Sequence, residues 1–267
     1  MVGLPLTPLL GGYDQVILDL DGCVWVGSEP TPHSPEAIAA LRAEGKRVLF
    51  ATNDPRRPEE GYVRKLWSMG IQASLADVVT VGAAVEHVLG TRHRGQGAWV
   101  VGTPALQDHV SRAGLRVLNG GEEGRSADVV LVGGTEELVY DDLRQATLAV
   151  RAGAALLGTS RDPTYPTEEG HWPGTGAILA CVEVASERTA EIIGKPEGHL
   201  FRTALERLGE GRTLVVGDRL DADVGAATNA GLDAAVVLTG GTSREEAEAA
   251  KEPVAVADTL ASLVLAS

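Results

Sequence analysis

Residues 16–22 constrain this chain more than any other stretch, because an apolar run is followed there by two acids and a glycine. The apolar run at 16–18 is typical of a buried parallel strand. Strand side chains repeat with period two, so Asp19 and Asp21 can lean the same way where the strand ends. Gly22 lets the backbone turn sharply beside the two acids. The motif predicts a site for a hard cation and a phosphate. This motif alone also allows two other interpretations, a turn in which an acid caps the next helix and the metal-binding DxD of a sugar-transfer enzyme.

Composition narrows the class of protein and its partners. The 267 residues are 44% hydrophobic and 22% charged, which is typical of a packed globular protein with one large or two small domains. The net charge of −14 argues against nucleic acid and anionic membranes as partners. No apolar run approaches the ~20 residues of a membrane span, and residues 1–12 lack the basic start of a signal peptide. Cys23 and Cys181 lie outside any CxxC motif, so we predict a reduced, cytoplasmic protein.

The chain alternates between strand and helix patterns, which predicts right-handed crossovers and parallel sheets. Strands are predicted at 47–52, 77–81, 98–101, 129–132, 154–157, 214–218 and 235–238, and helices at 58–69, 104–112, 140–151, 198–208 and 258–265. Within this pattern, residues 82–188 are predicted to form a separate α/β unit with its own strands and helices. The sequence therefore predicts a Rossmann-like parallel-sheet core at 1–81 and 189–267, with an inserted α/β domain at 82–188.

A long proline-rich stretch, residues 158–174, ends the inserted domain's regular pattern, and we predict an irregular loop there. Such loops in a compact unit are more often functional than not. Asp162 has a plain alternative role as the cap of a turn before Pro163. The loop carries side chains able to meet a small polar substrate group, namely Arg161, Asp162, Tyr165 and His171.

Three predicted strands end in polar residues, and a lysine opens a later helix. These residues are Asp19 with Asp21, Thr52 with Asn53, Asp218 with Asp223, and Lys195. In an open parallel sheet the carboxyl ends lie on one edge, so the groups can converge there. One carboxylate can attack phosphorus, and a second acid can protonate the leaving oxygen and then activate water. Mg²⁺ can bridge carboxylate to phosphate, while a hydroxyl and an ammonium hold the phosphoryl oxygens.

The order of these motifs resembles the haloacid dehalogenase-like superfamily of hydrolases, in its NagD-like (para-nitrophenylphosphatase) branch. The motifs are DxDG at 19–22, TN at 52–53, GKP at 194–196 and GDRLDAD at 217–223, followed by NAGLD at 229–233. The resemblance covers essentially the whole chain, and the combined spacing is specific although each motif alone is not. One departure is Asp54, because the branch usually has a second asparagine after the TN pair.

The resemblance implies a role for each motif residue. It makes Asp19 the nucleophile and Asp21 the general acid and base, with Thr52, Asn53 and Lys195 on the phosphate. It implies Mg²⁺ as the cofactor, with Asp19, Asp21 through its carbonyl, Asp218 and Asp223 as the metal set. The inserted domain becomes the cap that contacts substrate, and a homodimer through this cap is expected. The implied reaction is hydrolysis of small phosphate monoesters of the sugar phosphate, phosphoglycolate, glycerol phosphate or pyridoxal phosphate type, through an aspartyl-phosphate.

Two other functions remain as alternatives at this point. A non-hydrolytic phospho-acceptor or sugar-phosphate-binding regulator would also combine acids, a hydroxyl and a lysine. Asp21 disfavours it, because an acid and base two residues from the nucleophile favours turnover. A sugar transferase using DxD would not need Lys195 or Asp218. Dehalogenase chemistry is disfavoured because it requires neither a metal site nor Asp21.

Overall fold

The chain forms two compact units in the computed structural model, which describes residues 5–167 and 169–266. Unit 1 comprises Met1–Thr52, Glu59–Val79 and Lys195–Ser267. Unit 2 comprises Asn53–Pro58 and Thr80–Gly194. Two of the points where the chain passes between units therefore fall inside predicted motifs, after Thr52 and before Lys195. None of the helices in the described ranges is long and apolar enough to cross a membrane.

Strands and helices alternate along most of the chain. The strands are β1 Gln15–Asp19, β2 Trp25–Val26, β3 Glu29–Pro30, β4 Arg47–Thr52, β5 Val78–Thr80, β6 Gly97–Val101, β7 Arg116–Val117, β8 Val129–Val132, β9 Ala155–Gly158, β10 Thr164–Thr167, β11 Gly170–Pro173, β12 Glu191–Ile192, β13 Thr213–Gly217, β14 Asp233–Val237 and β15 Ala255–Ala257. The helices are α1 Ser34–Ala43, α2 Glu59–Ser68, α3 Val81–Arg92, α4 Pro104–Arg112, α5 Tyr140–Ala152, α6 Thr175–Ser186, α7 His199–Leu208, α8 Gly225–Ala230, α9 Arg244–Ala249 and α10 Leu260–Val264.

Unit 1 is built on a six-stranded sheet in the order β15-β14-β13-β1-β4-β5. Strand β1 runs parallel to both of its neighbours, with Leu18 opposite Val216 and Phe50. Every residue of β1 is buried, as expected of a parallel strand covered on both faces by helices. Because β4, β1 and β13 are adjacent and parallel, their carboxyl ends lie side by side on one edge of the sheet.

Unit 2 has its own sheet in the order β12-β9-β8-β6-β7, and its paired strands are all parallel. The central strands β6 and β8 are buried along their whole length. The prediction of an α/β fold with parallel sheets is therefore confirmed.

The prediction of an irregular loop at 158–174 is wrong over most of its length. Strands β10 and β11 form an antiparallel hairpin in which Tyr165 lies opposite Trp172 and Thr164 lies opposite Pro173. Proline cannot donate to a strand ladder, but a two-stranded ribbon consists only of edge strands and tolerates it. The prolines that indicated a loop are therefore compatible with a hairpin.

Candidate active site

Asp19 is the last residue of β1 and the centre of the candidate site in unit 1. Its side chain is buried, and β4 and β13 flank the strand on its two sides. In the register of the sheet Asp19 lies opposite Ala51, so Thr52 follows it on the neighbouring strand. Thr52 is also buried, and Asp218 comes directly after β13. These three polar residues therefore lie at the carboxyl ends of adjacent parallel strands.

Lys195 connects two of the acids in the centre of the site. Its Nζ donates to Asp19 Oδ1 and, at 2.6 Å, to Asp223 Oδ1. The lysine is only 5% exposed, so little water competes for these bonds. Burial alone would lower the pKa of Lys195, but the charges of Asp19 and Asp223 raise it well above its usual value. The lysine therefore stays positively charged.

Asp218 reaches the site because two glycines leave space around it. A side chain at Gly22 or at Gly240 would overlap the Asp218 carboxylate. The backbone N–H of Gly241 donates to Asp218 Oδ2 at 2.6 Å and fixes the carboxylate. Burial and the neighbouring charge of Asp223 raise the pKa of Asp218 to about 6, against the opposing effect of the Gly241 bond. Gly22 has a φ of +91°, which favours glycine on backbone grounds as well.

Asp223 lies in a short helical turn, Leu220–Val224, that follows β13. Its Oδ2 accepts from the backbone N–H of Arg219 at 3.1 Å, and a side chain at Gly217 would overlap it. Its neighbour Asp221 has turned away and is held by the Arg219 guanidinium at 3.0 and 2.7 Å. The structure thus brings Asp223, and not Asp221, to Asp19.

Asp21 is exposed, and an indole orients it. Trp25 lies in the β2–β3 hairpin, and its Nε1 donates to Asp21 Oδ1 at a distance of 2.7 Å. Trp25 is fully buried, and the Lys65 ammonium lies 4.1 Å from the centre of its ring. No role for Trp25 was predicted from the sequence. The available signal was an indole four residues after the acid, and that spacing by itself does not indicate a contact.

The acids form one group with suitable metal-ligand geometry among residues 5–167 and 169–266. One carboxylate oxygen each from Asp19, Asp218 and Asp223 lies within 4.8 Å of the other two. Three carboxylates and the Lys195 ammonium leave a formal charge of −2, which one divalent cation would neutralise. A hard cation such as Mg²⁺ takes oxygen ligands of this kind. The donor set of Asp19, Asp218 and Asp223 fits Mg²⁺.

The site acids influence one another strongly. Burial raises the pKa of Asp19 well above its usual value, Lys195 opposes this effect, and the charges of Asp223 and Asp218 add to it. Burial likewise raises the pKa of the nearby Cys23 thiol. Such crowding of buried like charges is common where a protein holds a cation or carries out acid and base chemistry.

In unit 2 three of the residues that were predicted to meet substrate, Arg161, Asp162 and Tyr165, have partners in their own unit. The Arg161 guanidinium pairs with both carboxylate oxygens of Glu183, at 3.1 and 2.9 Å. Ser160 Oγ donates to Asp162 at 2.5 Å, and Tyr165 Oη donates to Glu136 at 2.8 Å. The side chain of His171 lies outside the described residues.

Asn53 starts the first segment of unit 2. It packs against Gly194, where any side chain would overlap the Asn53 carboxamide and the Thr159 carbonyl. Gly194 precedes Lys195 directly, so the glycine of the GKP motif is required by close packing.

Comparison with known proteins identifies the family. Residues 16–116 match the haloacid dehalogenase-like hydrolases, and residues 192–263 match a second family of hydrolases of this type. The D-glycerol 3-phosphate phosphatase of Mycobacterium tuberculosis is 37% identical over 243 residues, which is 91% of this chain and 67% of that protein. An acid sugar phosphatase of Staphylococcus aureus is 32% identical, over 88% of this chain and 90% of that protein.

Solved structures agree with these matches. The magnesium complex of a glycerol phosphate phosphatase from M. tuberculosis superposes with a TM-score of 0.88 at 34% identity, covering 97% of this chain and 79% of that one. A 4-nitrophenylphosphatase from Thermotoga maritima gives a TM-score of 0.87 at 30% identity, covering 96% and 98%. The fold and its acidic strand ends define an α/β hydrolase with a cation site. The chain belongs to the haloacid dehalogenase-like hydrolases.

Proposed function

We propose that this protein is a Mg²⁺-dependent phosphatase that hydrolyses small phosphate monoesters through an aspartyl-phosphate. The observation that carries the proposal is the buried Asp19 carboxylate, held by Lys195 beside Asp218 and Asp223 at the carboxyl edge of the sheet. A carboxylate fixed beside a cation site is placed to attack phosphorus.

The reaction proceeds in two steps. In the first, an Asp19 oxygen forms a bond to phosphorus while the ester oxygen leaves, and Asp21 donates a proton to that oxygen. In the second, water attacks the phosphorus of the aspartyl-phosphate, and Asp21 takes the water's proton. Inorganic phosphate departs and Asp19 is restored. Trp25 keeps the Asp21 carboxyl oriented for both proton transfers.

The remaining site residues stabilise charge. Lys195 provides a fixed positive charge for the phosphoryl oxygens, in a place where water is excluded. The Thr52 hydroxyl and the Asn53 amide are proposed to donate to the same oxygens. When bound, Mg²⁺ neutralises charge between the carboxylates and the phosphate. Asp19, Asp218 and the Asp21 carbonyl would hold it, with Asp223 in support.

The proposed substrates are small metabolites such as glycerol phosphates and sugar phosphates, the compounds for which the relatives from M. tuberculosis and S. aureus are named. Unit 2 is proposed as the cap domain that selects among them, and the roles of Arg161, Asp162, Tyr165 and His171 toward substrate stay predictions. Cys23 is buried and Cys181 is exposed, and both are free thiols, which supports a reducing, cytoplasmic location.

Turnover of an aryl phosphate is expected to require Mg²⁺ and to stop when EDTA is added. In the Asp218→Ala variant, half-maximal activity should require at least about tenfold more Mg²⁺, because a charged ligand is lost. The measurement is the initial rate of 4-nitrophenyl phosphate hydrolysis against free Mg²⁺. Asp221→Ala is the matched control, since this acid pairs with Arg219, and it should keep the wild-type Mg²⁺ curve.

Two outcomes would contradict the proposed function, the first in this assay and the second in a labelling experiment. Full activity without a divalent cation would show that the reaction does not depend on Mg²⁺. Stable labelling of the protein by a phosphoryl donor, with no release of inorganic phosphate, would instead identify a non-hydrolytic phospho-acceptor.

A homodimer through unit 2 is also proposed, and α6 offers the surface for it. Ala180, Cys181 and Val184 lie on one exposed side of this helix, and Val184 is 80% exposed. Glu183 is the one charged residue of α6, and Arg161 neutralises it. In a chain of net charge −14, two copies can approach most easily where both are uncharged.

Val184→Glu is expected to convert the dimer to a monomer, because it places two like charges in the apolar contact. The molar mass from light scattering after gel filtration gives the result. Val254→Glu, at a half-exposed apolar position in unit 1, is the matched control and should leave the mass unchanged. A monomeric wild type would refute the dimer.

A further inference from the structure

The residue that departs from the usual motif, Asp54, has a well-defined partner in the structure. Its Oδ1 accepts from Arg56 Nε at 2.8 Å, and its Oδ2 accepts from Arg56 Nη2 at 3.0 Å. The backbone N–H of Arg56 also donates to Oδ1, at 3.0 Å. This bidentate pair has the geometry with which an arginine binds the carboxylate of a ligand.

A second carboxylate holds the other side of the same guanidinium. Glu136 Oε1 accepts from Arg56 Nη1 at 3.3 Å and from Tyr165 Oη at 2.8 Å. The Arg56 guanidinium also lies 4.1 Å from the centre of the Tyr165 ring. We call Asp54, Arg56, Glu136 and Tyr165 the Arg56 cluster. All four residues belong to unit 2, and with two carboxylates and one guanidinium the cluster carries a formal charge of −1.

The Arg56 cluster is next in the chain to Asn53, a residue of the same unit that is proposed to bind phosphate. Asp54 follows Asn53 directly, and the Cα atoms of consecutive residues lie about 3.8 Å apart. A charged group this near in the chain affects the binding of any further charge on an ester whose phosphate is held at Asn53. Arg57, the next cation along the chain, is exposed, so solvent screens its charge more effectively than that of the partly buried Arg56.

We propose that Asp54 is a specificity-determining residue, which makes the enzyme prefer uncharged, hydroxyl-bearing phosphate esters to carboxylate-bearing ones. The proposal rests on the proposed function and adds a substrate class to it. A substrate carboxylate would have to compete with Asp54 for the Arg56 guanidinium, and the net negative cluster repels it. A substrate hydroxyl meets no such penalty, because a hydroxyl donates hydrogen bonds to carboxylates.

The test compares kcat/KM for glycerol 3-phosphate with kcat/KM for phosphoglycolate, which carries a carboxylate. Wild type should prefer the glycerol ester. In Asp54→Asn the preference should shift toward phosphoglycolate by about tenfold, because one negative charge is gone and the bidentate pair with Arg56 is broken. Asp54→Glu keeps the charge and should keep most of the wild-type preference. The shift should shrink as salt is raised, since ions screen the charge.

Asp233→Asn is the matched control because it removes the same charge from a similar cluster in unit 1. Asp233 accepts from Tyr13 Oη and from Arg212, and Arg212 lies 4.6 Å from the centre of the Tyr13 ring. Asp233 starts β14, at the end of the strand away from the site, so its substitution should leave the ratio unchanged. Glu136→Gln is a second variant that should shift the ratio in the same direction as Asp54→Asn.

The possible outcomes separate this inference from the proposed function. An unchanged ratio in Asp54→Asn, an equal shift in Asp233→Asn, or a folded Asp54→Asn that is inactive on every ester would overturn the specificity role. If Asp54→Asn does not fold, the ratio for Glu136→Gln decides the question. Hydrolysis of 4-nitrophenyl phosphate by the wild type tests the proposed function separately.

Discussion

Replacement of Asp19 by asparagine is expected to lower kcat for every phosphate monoester by on the order of 10³-fold or more. The amide is a poor nucleophile toward phosphorus and a weaker ligand for Mg²⁺, so both steps of the proposed reaction are lost. The measurement is kcat for 4-nitrophenyl phosphate at saturating Mg²⁺, with circular dichroism and thermal unfolding to check the fold.

The fold of this variant should persist, for a reason visible in the site. Asp19 lies beside Asp218 and Asp223, so the substitution removes one of three crowded negative charges while Lys195 still neutralises Asp223. Burial already works against the charged form of Asp19, as its raised pKa shows. If the folded variant kept more than a few per cent of the wild-type kcat, Asp19 would not be the nucleophile.

Lys195→Met should have the second largest effect, a loss of on the order of 10²-fold or more in kcat/KM. The methionine has nearly the length of the lysine but no charge, so a fixed positive group is removed from a site that excludes water. The variant should also unfold at a lower temperature, because Asp19 and Asp223 lose the cation that pairs with them. Removing one partner of a buried ion pair typically costs about 3–5 kcal/mol.

The matched control for this prediction is Lys251→Met, at an exposed position of unit 1. It should keep both kcat/KM and the unfolding temperature of the wild type. If Lys195→Met were as active as this control, the lysine would have only a structural role. Excess Mg²⁺ should recover part of the lost stability but not the activity, because the cation binds carboxylates and cannot replace a donor to phosphate.

The central part of the fold and site could be predicted from the sequence because its signals are local. Each of β1, β4 and β13 is an apolar run followed at once by a polar residue, and parallel sheets bring such ends to one edge. The hairpin of β10 and β11 could not be predicted, because its prolines indicate a loop unless the strands are known to be edge strands.

Contacts between distant parts of the chain also escaped prediction. The N–H of Gly241 that fixes Asp218 is 23 residues away, and a backbone donor leaves no mark in the sequence. The partners of Arg161 and Tyr165, which are Glu183 and Glu136, lie 22 and 29 residues away. A charged residue in a loop indicates that a partner or ligand exists, but its position alone does not identify which of them it meets.

The passage of the chain between its two units has a consequence for engineering. Unit 1 gives way to unit 2 after Thr52, and unit 2 gives way to unit 1 before Lys195. Exchanging unit 2 between relatives is an obvious route to a new substrate range, but splices at these two junctions would cut through residues proposed to hold phosphate. A workable chimaera must take both Thr52–Asn53 and Gly194–Lys195 from the parent that supplies unit 1. The transplantable module is therefore smaller than the folded unit.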